Sequence, residues 1–255
     1  MSHGRFFWYD LVSKDRKASR AFLTSLFGWT ASDAAMPDGT PYTSFSVQKH
    51  LVCGLMPLTE ARDFNQGQGY WMTYLRVDRL APSIVRAKQQ GGVTLSGALP
   101  VPDLGAYQII RDPAGTLLAL VEARQSILSS GMLWTSVIWN ELLCRQGEGP
   151  VADFYQVVAG WSYQKTPQQA FDYSLFSLGG SQVAGILEMP DTAYAGLRPA
   201  WQTYIGVSDV DALTAKALDC GGHITAEPFE LPGVGRLALI VEPGGCQITL
   251  LQPLQ

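Results

Sequence analysis

The sequence has little that could hold a transition metal. Of its 255 residues only three are histidine, His3, His50 and His223, and they are scattered. Its four cysteines, Cys53, Cys144, Cys220 and Cys246, lie far apart, and none forms the paired spacing of a zinc knuckle or a redox motif. They are read as buried or idle thiols. No apolar run reaches the roughly 18 residues that a membrane span needs, and MSHGRFFWYDL lacks the basic start, apolar stretch and cleavage site of a signal peptide. A cytoplasmic location with no membrane partner is therefore expected. A basic stripe is missing too, and a net charge of −4 argues against a nucleic-acid partner. There is no P-loop, no dinucleotide-binding glycine pattern in a strand–helix context and no nucleophile elbow. No cofactor is expected.

What the sequence does have is a repeat. Trp8, Asp10, Leu11, Phe22, Gly28 and Trp29 return as Trp139, Glu141, Leu142, Phe154, Gly160 and Trp161. Tyr42, Phe45, Ser46 and Gly54 return as Tyr173, Phe176, Ser177 and Gly185, and Trp71, Thr73, Tyr74 and Val77 as Trp201, Thr203, Tyr204 and Val207. Gly91-Gly92 and Asp112-Pro113 answer to Gly221-Gly222 and Glu242-Pro243, with all offsets between 130 and 132. A spacing this steady means two copies of one domain, with a period far too long for a solenoid. The hydrophobic content of 47% gives each copy enough apolar residues for its own core.

Residues 6–12 read as a buried strand, followed by a helix that Asp15 caps and Gly28 ends. Residues 42–48 and 51–57 read as a hairpin, and 59–69 as a loop. A second strand begins at 71–77, then a helix with apolar positions Leu80, Ile84, Val85 and Ala87, then strands near 93–95, 106–111 and 116–122. Asp112-Pro113-Ala114-Gly115 and Glu242-Pro243-Gly244-Gly245 read as turns. Each copy thus holds two strand–helix–strand–strand units.

The ordered signature of Asp15, Ser19 and Phe22, then Gly28-Trp29, Gly91-Gly92 and Asp112-Pro113-Ala114-Gly115, resembles the vicinal oxygen chelate superfamily. That superfamily includes glyoxalase I, extradiol dioxygenases and the fosfomycin- and bleomycin-resistance proteins. The resemblance implies an α+β fold of tandem βαβββ modules, four in all, in two glyoxalase/bleomycin-resistance-like domains. These would span 1–123 and 132–255, joined by a linker over 124–131, with each curved sheet enclosing a cavity.

The resemblance also implies where a metal would sit. In this register the family's four ligand positions fall on Trp8, Gly54, Met72 and Ala119, and again on Trp139, Gly185, Gln202 and Thr249. None is a histidine or a carboxylate, so a metal-free site is expected.

Side chains two apart on a strand share a face. Trp8 therefore brings Asp10, Trp139 brings Glu141, Met72 brings Tyr74 and Gln202 brings Tyr204, with Gly54 and Gly185 leaving room for a ligand. Such a surface suits a small aromatic or cationic molecule, the aromatics stacking and the carboxylate accepting hydrogen bonds or offsetting charge. Asp10 or Glu141 could instead serve as a general base in a metal-independent glyoxalase-like lyase or isomerase. The same residues would also serve packing alone, with the two carboxylates bonded to backbone or to Tyr74 and Tyr204, in a non-catalytic interaction protein. A small-molecule partner is the expectation, with monomer and homodimer both open. Asn140, Arg145 and Arg236 read as surface residues.

Overall fold

The computed structural model describes residues 3–101, 105–125, 127–128, 133–145, 148–166, 173–188 and 198–254; of the expected linker, 126 and 129–131 lie outside them. The first repeat opens with β1 (Phe6–Ser13), almost wholly buried, and α1 (Arg16–Phe27). Asp15 caps that helix by accepting from the Ala18 N–H at 2.9 Å, and Gly28 stops it in the left-handed region at φ 70°. Ser19, Phe22, Leu23, Leu26 and Phe27 form its buried face. Then come β2 (Thr30–Ala35), β3 (Pro41–Val47) and β4 (His50–Pro57), followed by β5 (Tyr70–Arg76) and α2 (Leu80–Gln89). Strands β6 (Val93–Thr94), β7 (Leu99–Val101), β8 (Gly105–Arg111) and β9 (Leu117–Ala123) complete the repeat.

The second repeat follows the same order. It comprises β10 (Val137–Cys144), α3 (Glu148–Ala159), β11 (Ser162–Thr166), β12 (Tyr173–Leu178) and β13 (Ser181–Glu188). It continues with β14 (Ala200–Gly206), α4 (Val210–Asp219), β15 (His223–Leu231), β16 (Gly235–Val241) and β17 (Gln247–Pro253). Among the described residues the strands form two mixed sheets, ordered β2-β3-β4-β1-β5-β9-β8-β6, with β7 beside β8, and β11-β12-β13-β10-β14-β17-β16-β15. Each βαβββ module closes by pairing its first strand in parallel with its last: β1 with β4, β5 with β9, β10 with β13 and β14 with β17. The α+β class and the four modules are as expected.

Packing follows a different division from the duplication. One compact unit holds Met1–Phe7, Thr73–Ile127 and Asn140–Gln202; the other holds Trp8–Met72, Leu128–Trp139 and Thr203–Gln255. Each unit thus joins a module of one repeat to a module of the other. In the first, α2 packs on α3, and a Cβ added at Gly92 would stand 2.9 Å from the Phe154 ring. In the second, α1 packs on α4, and a Cβ at Gly222 would stand 2.8 Å from the Phe22 ring. The repeated phenylalanines and glycine pairs are therefore two halves of one contact, made where only a hydrogen leaves room. The repeated tryptophans act alike: Trp161 donates to the Gly4 carbonyl at 2.6 Å and Trp29 to the Thr135 carbonyl at 2.7 Å.

One strand was not read from the sequence, and two local expectations need correction. Residues 30–35 form a strand, β2, although TASDAA carries little β-forming character; they are the exposed edge of a sheet and are held by pairing from Thr30 with Ser46 to Ala35 with Pro41. Val85 lies on the outer face of α2 and is exposed. Asn140, expected at the surface, is buried; Arg236 stays at the surface as expected, fixed there by Asp211 and Glu230 at 2.6–3.1 Å.

Candidate functional site

In the unit containing β1, three polar side chains converge. The Trp8 indole Nε1 donates to Asp10 Oδ1 and to the Tyr42 hydroxyl, both at 2.8 Å, and the Tyr42 hydroxyl donates to the same Oδ1 at 2.7 Å. Strand alternation puts Trp8 and Asp10 on one face of β1, and the β1–β4 register sets Asp10 opposite Gly54. Gly54 has a steric task there: a Cβ would collide with the Tyr42 hydroxyl and with Asp10 Oδ1. The room expected for a ligand above this glycine is thus filled by Tyr42. Asp10 is 3% exposed and Trp8 7%. Burial, helped by the neighbouring Asp10 charge, pushes the Tyr42 hydroxyl well above its ordinary pKa, so it stays a protonated donor. Cys53, adjacent to Gly54, is likewise held as a thiol by burial.

The other unit carries the counterpart. Glu141 is buried on β10 and stands opposite Gly185 on β13, where an added Cβ would collide with the Tyr173 hydroxyl. Acid, glycine and tyrosine recur here at a common offset of 131.

The remaining expected residues divide by repeat. Met72 is buried, and Tyr74 is buried edge-on against Tyr107 with ring centroids 5.4 Å apart. Trp139, Gln202 and Tyr204 are half-buried. The tyrosine bonded to Asp10 is Tyr42, a residue the sequence reading noted as repeated and did not place in the site. The signal that could have found it is the hairpin register, which brings β3 beside Gly54.

The positions at which the resemblance leads one to expect metal ligands hold Trp8, Gly54, Met72 and Ala119 in one repeat and Trp139, Gly185, Gln202 and Thr249 in the other. Indole, hydrogen, thioether, methyl, amide and hydroxyl groups do not make the imidazole or carboxylate set that zinc, iron or manganese requires. Among the described residues no group of three or more His, Cys, Asp or Glu could hold a metal ion.

Two further buried acids lie in the repeated turns. Asp112 Oδ1 accepts from the Ala114 and Thr116 N–H groups at 3.0 and 2.8 Å, and Oδ2 accepts from the Tyr155 hydroxyl at 3.0 Å. Tyr155 in turn accepts from Trp201 Nε1 at 2.9 Å. Burial raises the Asp112 pKa to about 6 despite those three donors. Glu242 accepts from the Gly244 and Cys246 N–H groups, both at 2.8 Å, and from the Ser19 hydroxyl, which also contacts Ser13 Oγ at 2.6 Å. These acids are fully engaged in holding turns to helices.

No family model matches the chain. The chain is 31% identical over 249 residues to a Mycobacterium tuberculosis protein provisionally named as the glyoxylase CFP32, covering 96% of this chain and 94% of that one. It is 29% identical over 258 residues to the anthracycline biosynthesis protein DnrV of Streptomyces peucetius, covering 96% and 92%. Among solved structures, the Mn(II)-bound glyoxalase from Novosphingobium aromaticivorans shares the fold with a TM-score of 0.65 at 16% identity, over 100% of this chain and 84% of that one. With the duplicated βαβββ modules, the kinship over almost the whole length decides the family: the chain belongs to the vicinal oxygen chelate superfamily, as a glyoxalase-like member with two repeats.

Proposed function

We propose that this protein binds a small aromatic or cationic molecule against the aromatic and acidic face of its sheets, without a metal at the family's ligand positions. The observation that carries the reading is the buried Asp10 carboxylate, held by Trp8 and Tyr42 on the strand where a metal-using relative would place a ligand. A carboxylate among aromatic rings offers stacking area together with a fixed acceptor for an ammonium or N–H group. The residues put forward for contact are Trp8, Asp10 and Met72 in one compact unit and Glu141 and Gln202 in the other, each set acting within its own unit. The relation to a protein named for anthracycline biosynthesis supports an aromatic ligand.

The test is a titration of aromatic and cationic compounds against the wild type, Trp8→Ala and Trp139→Ala. Dissociation constants should rise at least tenfold in one or both variants; unchanged constants for every detected ligand overturn the reading. Elemental analysis of untagged protein should find no stoichiometric zinc, nickel, manganese or iron.

A second reading is catalytic, with Asp10 or Glu141 as general base in a lyase or isomerase reaction, and the relation to a protein named a glyoxylase favours it. Turnover of methylglyoxal–thiol adducts that persists with chelator and falls at least a hundredfold in Asp10→Asn or Glu141→Gln would establish it. Turnover that both variants retain would end it.

A further inference from the structure

The segment between β4 and β5, residues 58–69, is built as a strap. Its tip is folded on itself: Asp63 Oδ1 accepts from the Gly67 N–H at 2.7 Å and the Asn65 N–H at 3.3 Å, and the Asn65 carbonyl accepts from the Gln68 N–H at 3.1 Å. Two ties to its surroundings meet at Arg62. The guanidinium donates to Asp38 Oδ2, in the turn between β2 and β3, at 3.0 Å, and the Arg62 carbonyl accepts from the Tyr70 hydroxyl at 2.7 Å. Asp38 stays charged, because the Thr40 N–H first and Arg62 after it hold its carboxyl at about 2. At its far end the strap lies over a thiol, where a Cβ added at Gly69 would stand 2.8 Å from Cys246 Sγ. Tyr70 alternates with Met72 along β5 and so stands on the face proposed for the ligand. Burial above all pushes its hydroxyl well above the ordinary pKa, with the Asp10 charge contributing, so Asp10 and this anchor of the strap lie within each other's electrostatic reach. All these groups belong to one compact unit.

We propose that residues 58–69 form a gate on this face, latched shut at Arg62 by Asp38 and Tyr70. The proposal rests on the ligand-binding reading above. Its physical basis is that Met72 and Cys246 are buried, so a solute reaches them only when what covers them lifts. The ties at Arg62 suit a latch. The ion pair joins side chains that are 20% and 58% exposed, the kind that contributes little and is screened by salt. The tyrosine bond is between neutral groups and modest in net strength. Both act on one residue, so their loss frees the middle of the strap in one step. The folded tip lets it move as a piece, between the Leu58 N–H bonded to the Ser13 carbonyl at one end and Gly69 at the other. A gate held this weakly opens without unfolding the sheet beneath it.

Small uncharged reagents read the opening without any ligand. Hydrogen peroxide oxidises Met72 to the sulfoxide and N-ethylmaleimide alkylates Cys246, and peptide mass spectrometry follows each rate. Cys53, buried on the opposite face of β4 from Gly54, reports general unfolding of the same unit. Asp38→Asn should raise the Met72 and Cys246 rates about threefold and Tyr70→Phe about fivefold, with Cys53 unchanged. Raising sodium chloride from about 0.05 to about 0.5 M should bring the wild type towards the Asp38→Asn rates and leave that variant where it is. If Tyr70→Phe does not fold, Asp38→Asn and Arg62→Gln carry the test. Rates that no variant moves, or that rise only in step with Cys53, would overturn the gate. A rise at Cys246 alone would overturn it as well, since the strap would then lift without opening the face. None of these outcomes touches the ligand-binding reading, which stands or falls by the titration above.

Discussion

The Asp112 and Glu242 corners occupy corresponding places in the two repeats and do the same structural work by different means. Both carboxylates are nearly inaccessible, and both bind two backbone N–H groups of their own turn. They differ in the third donor. Asp112 receives the hydroxyl of Tyr155, itself bonded to Trp201, inside a cluster that includes Trp161 and Phe176. Glu242 receives the hydroxyl of Ser19, which is joined to Ser13. One acid is thus surrounded by rings and the other by small hydroxyls. What duplication preserved is the carboxylate that organises the turn; what diverged is how the opposing helix satisfies it. The reach of the partner decides the acid: a long phenol meets an aspartate, a short serine needs a glutamate.

The largest break in this comparison should come from Glu242→Ala. Truncation leaves the Gly244 and Cys246 N–H groups buried without their acceptor and removes the Ser19 contact, leaving that hydroxyl to the Asp15 carbonyl at 2.9 Å, and the expected loss is about 3–5 kcal/mol in urea unfolding. A loss below about 1 kcal/mol would show that water reaches the corner and replaces the carboxylate.

The Asp112 corner should differ in pH dependence. Its carboxyl titrates near pH 6 in the folded chain against about 4 unfolded. Between those values the folded state keeps a proton that the unfolded state has lost. Stability from this group is therefore complete below about pH 4 and declines until about pH 6, by about 3 kcal/mol, after which it is level. Asp112→Asn should remove that decline. The difference between wild type and variant in unfolding free energy, followed from pH 4 to pH 7, isolates this group from the other carboxylates, and a constant difference would refute the assignment. Tyr155→Phe should cost about 2 kcal/mol at pH 7, since the Trp201 N–H loses its acceptor and Asp112 one donor, and should push the Asp112 transition higher.

These corners also explain what could be read in advance. Helix α1 was legible because its signals are local: Asp15 and Gly28 sit at its two ends and its buried face follows the helical period. The Asp-Pro and Glu-Pro turns were legible as turns from their proline and glycine. That their acids are buried was not, because Tyr155 lies 43 residues from Asp112 and Ser19 lies 223 from Glu242. Tyr42 was overlooked for a related reason. Period-two alternation assigns a residue to a face of its own strand, and only the pairing of β3 with β4 brings its hydroxyl to Gly54 and Asp10. Strand β2 escaped notice because edge pairing, and not its side chains, makes it a strand.

The smallest expected effect concerns the hairpin turns, where the repeats differ in backbone strain alone. Gln48 and Lys49 join β3 to β4 at φ 49° and 70°, and Gly179 and Gly180 join β12 to β13 at φ 58° and 82°. Both pairs have the two successive positive dihedrals of a tight hairpin turn. A side chain in that region costs about 1 kcal/mol or slightly more, while a glycine carries a larger entropy loss on folding. Lys49→Gly should therefore gain only about 0.5 kcal/mol, the relief of strain exceeding the added entropy cost by a little. Gly180→Lys should lose about the same or slightly more. Both residues lie at exposed turns, so packing does not enter, and the signs of the two shifts in urea midpoint are the measurement. If both substitutions destabilise, Lys49 contributes through a contact of its side chain, and backbone strain is not what distinguishes the two turns.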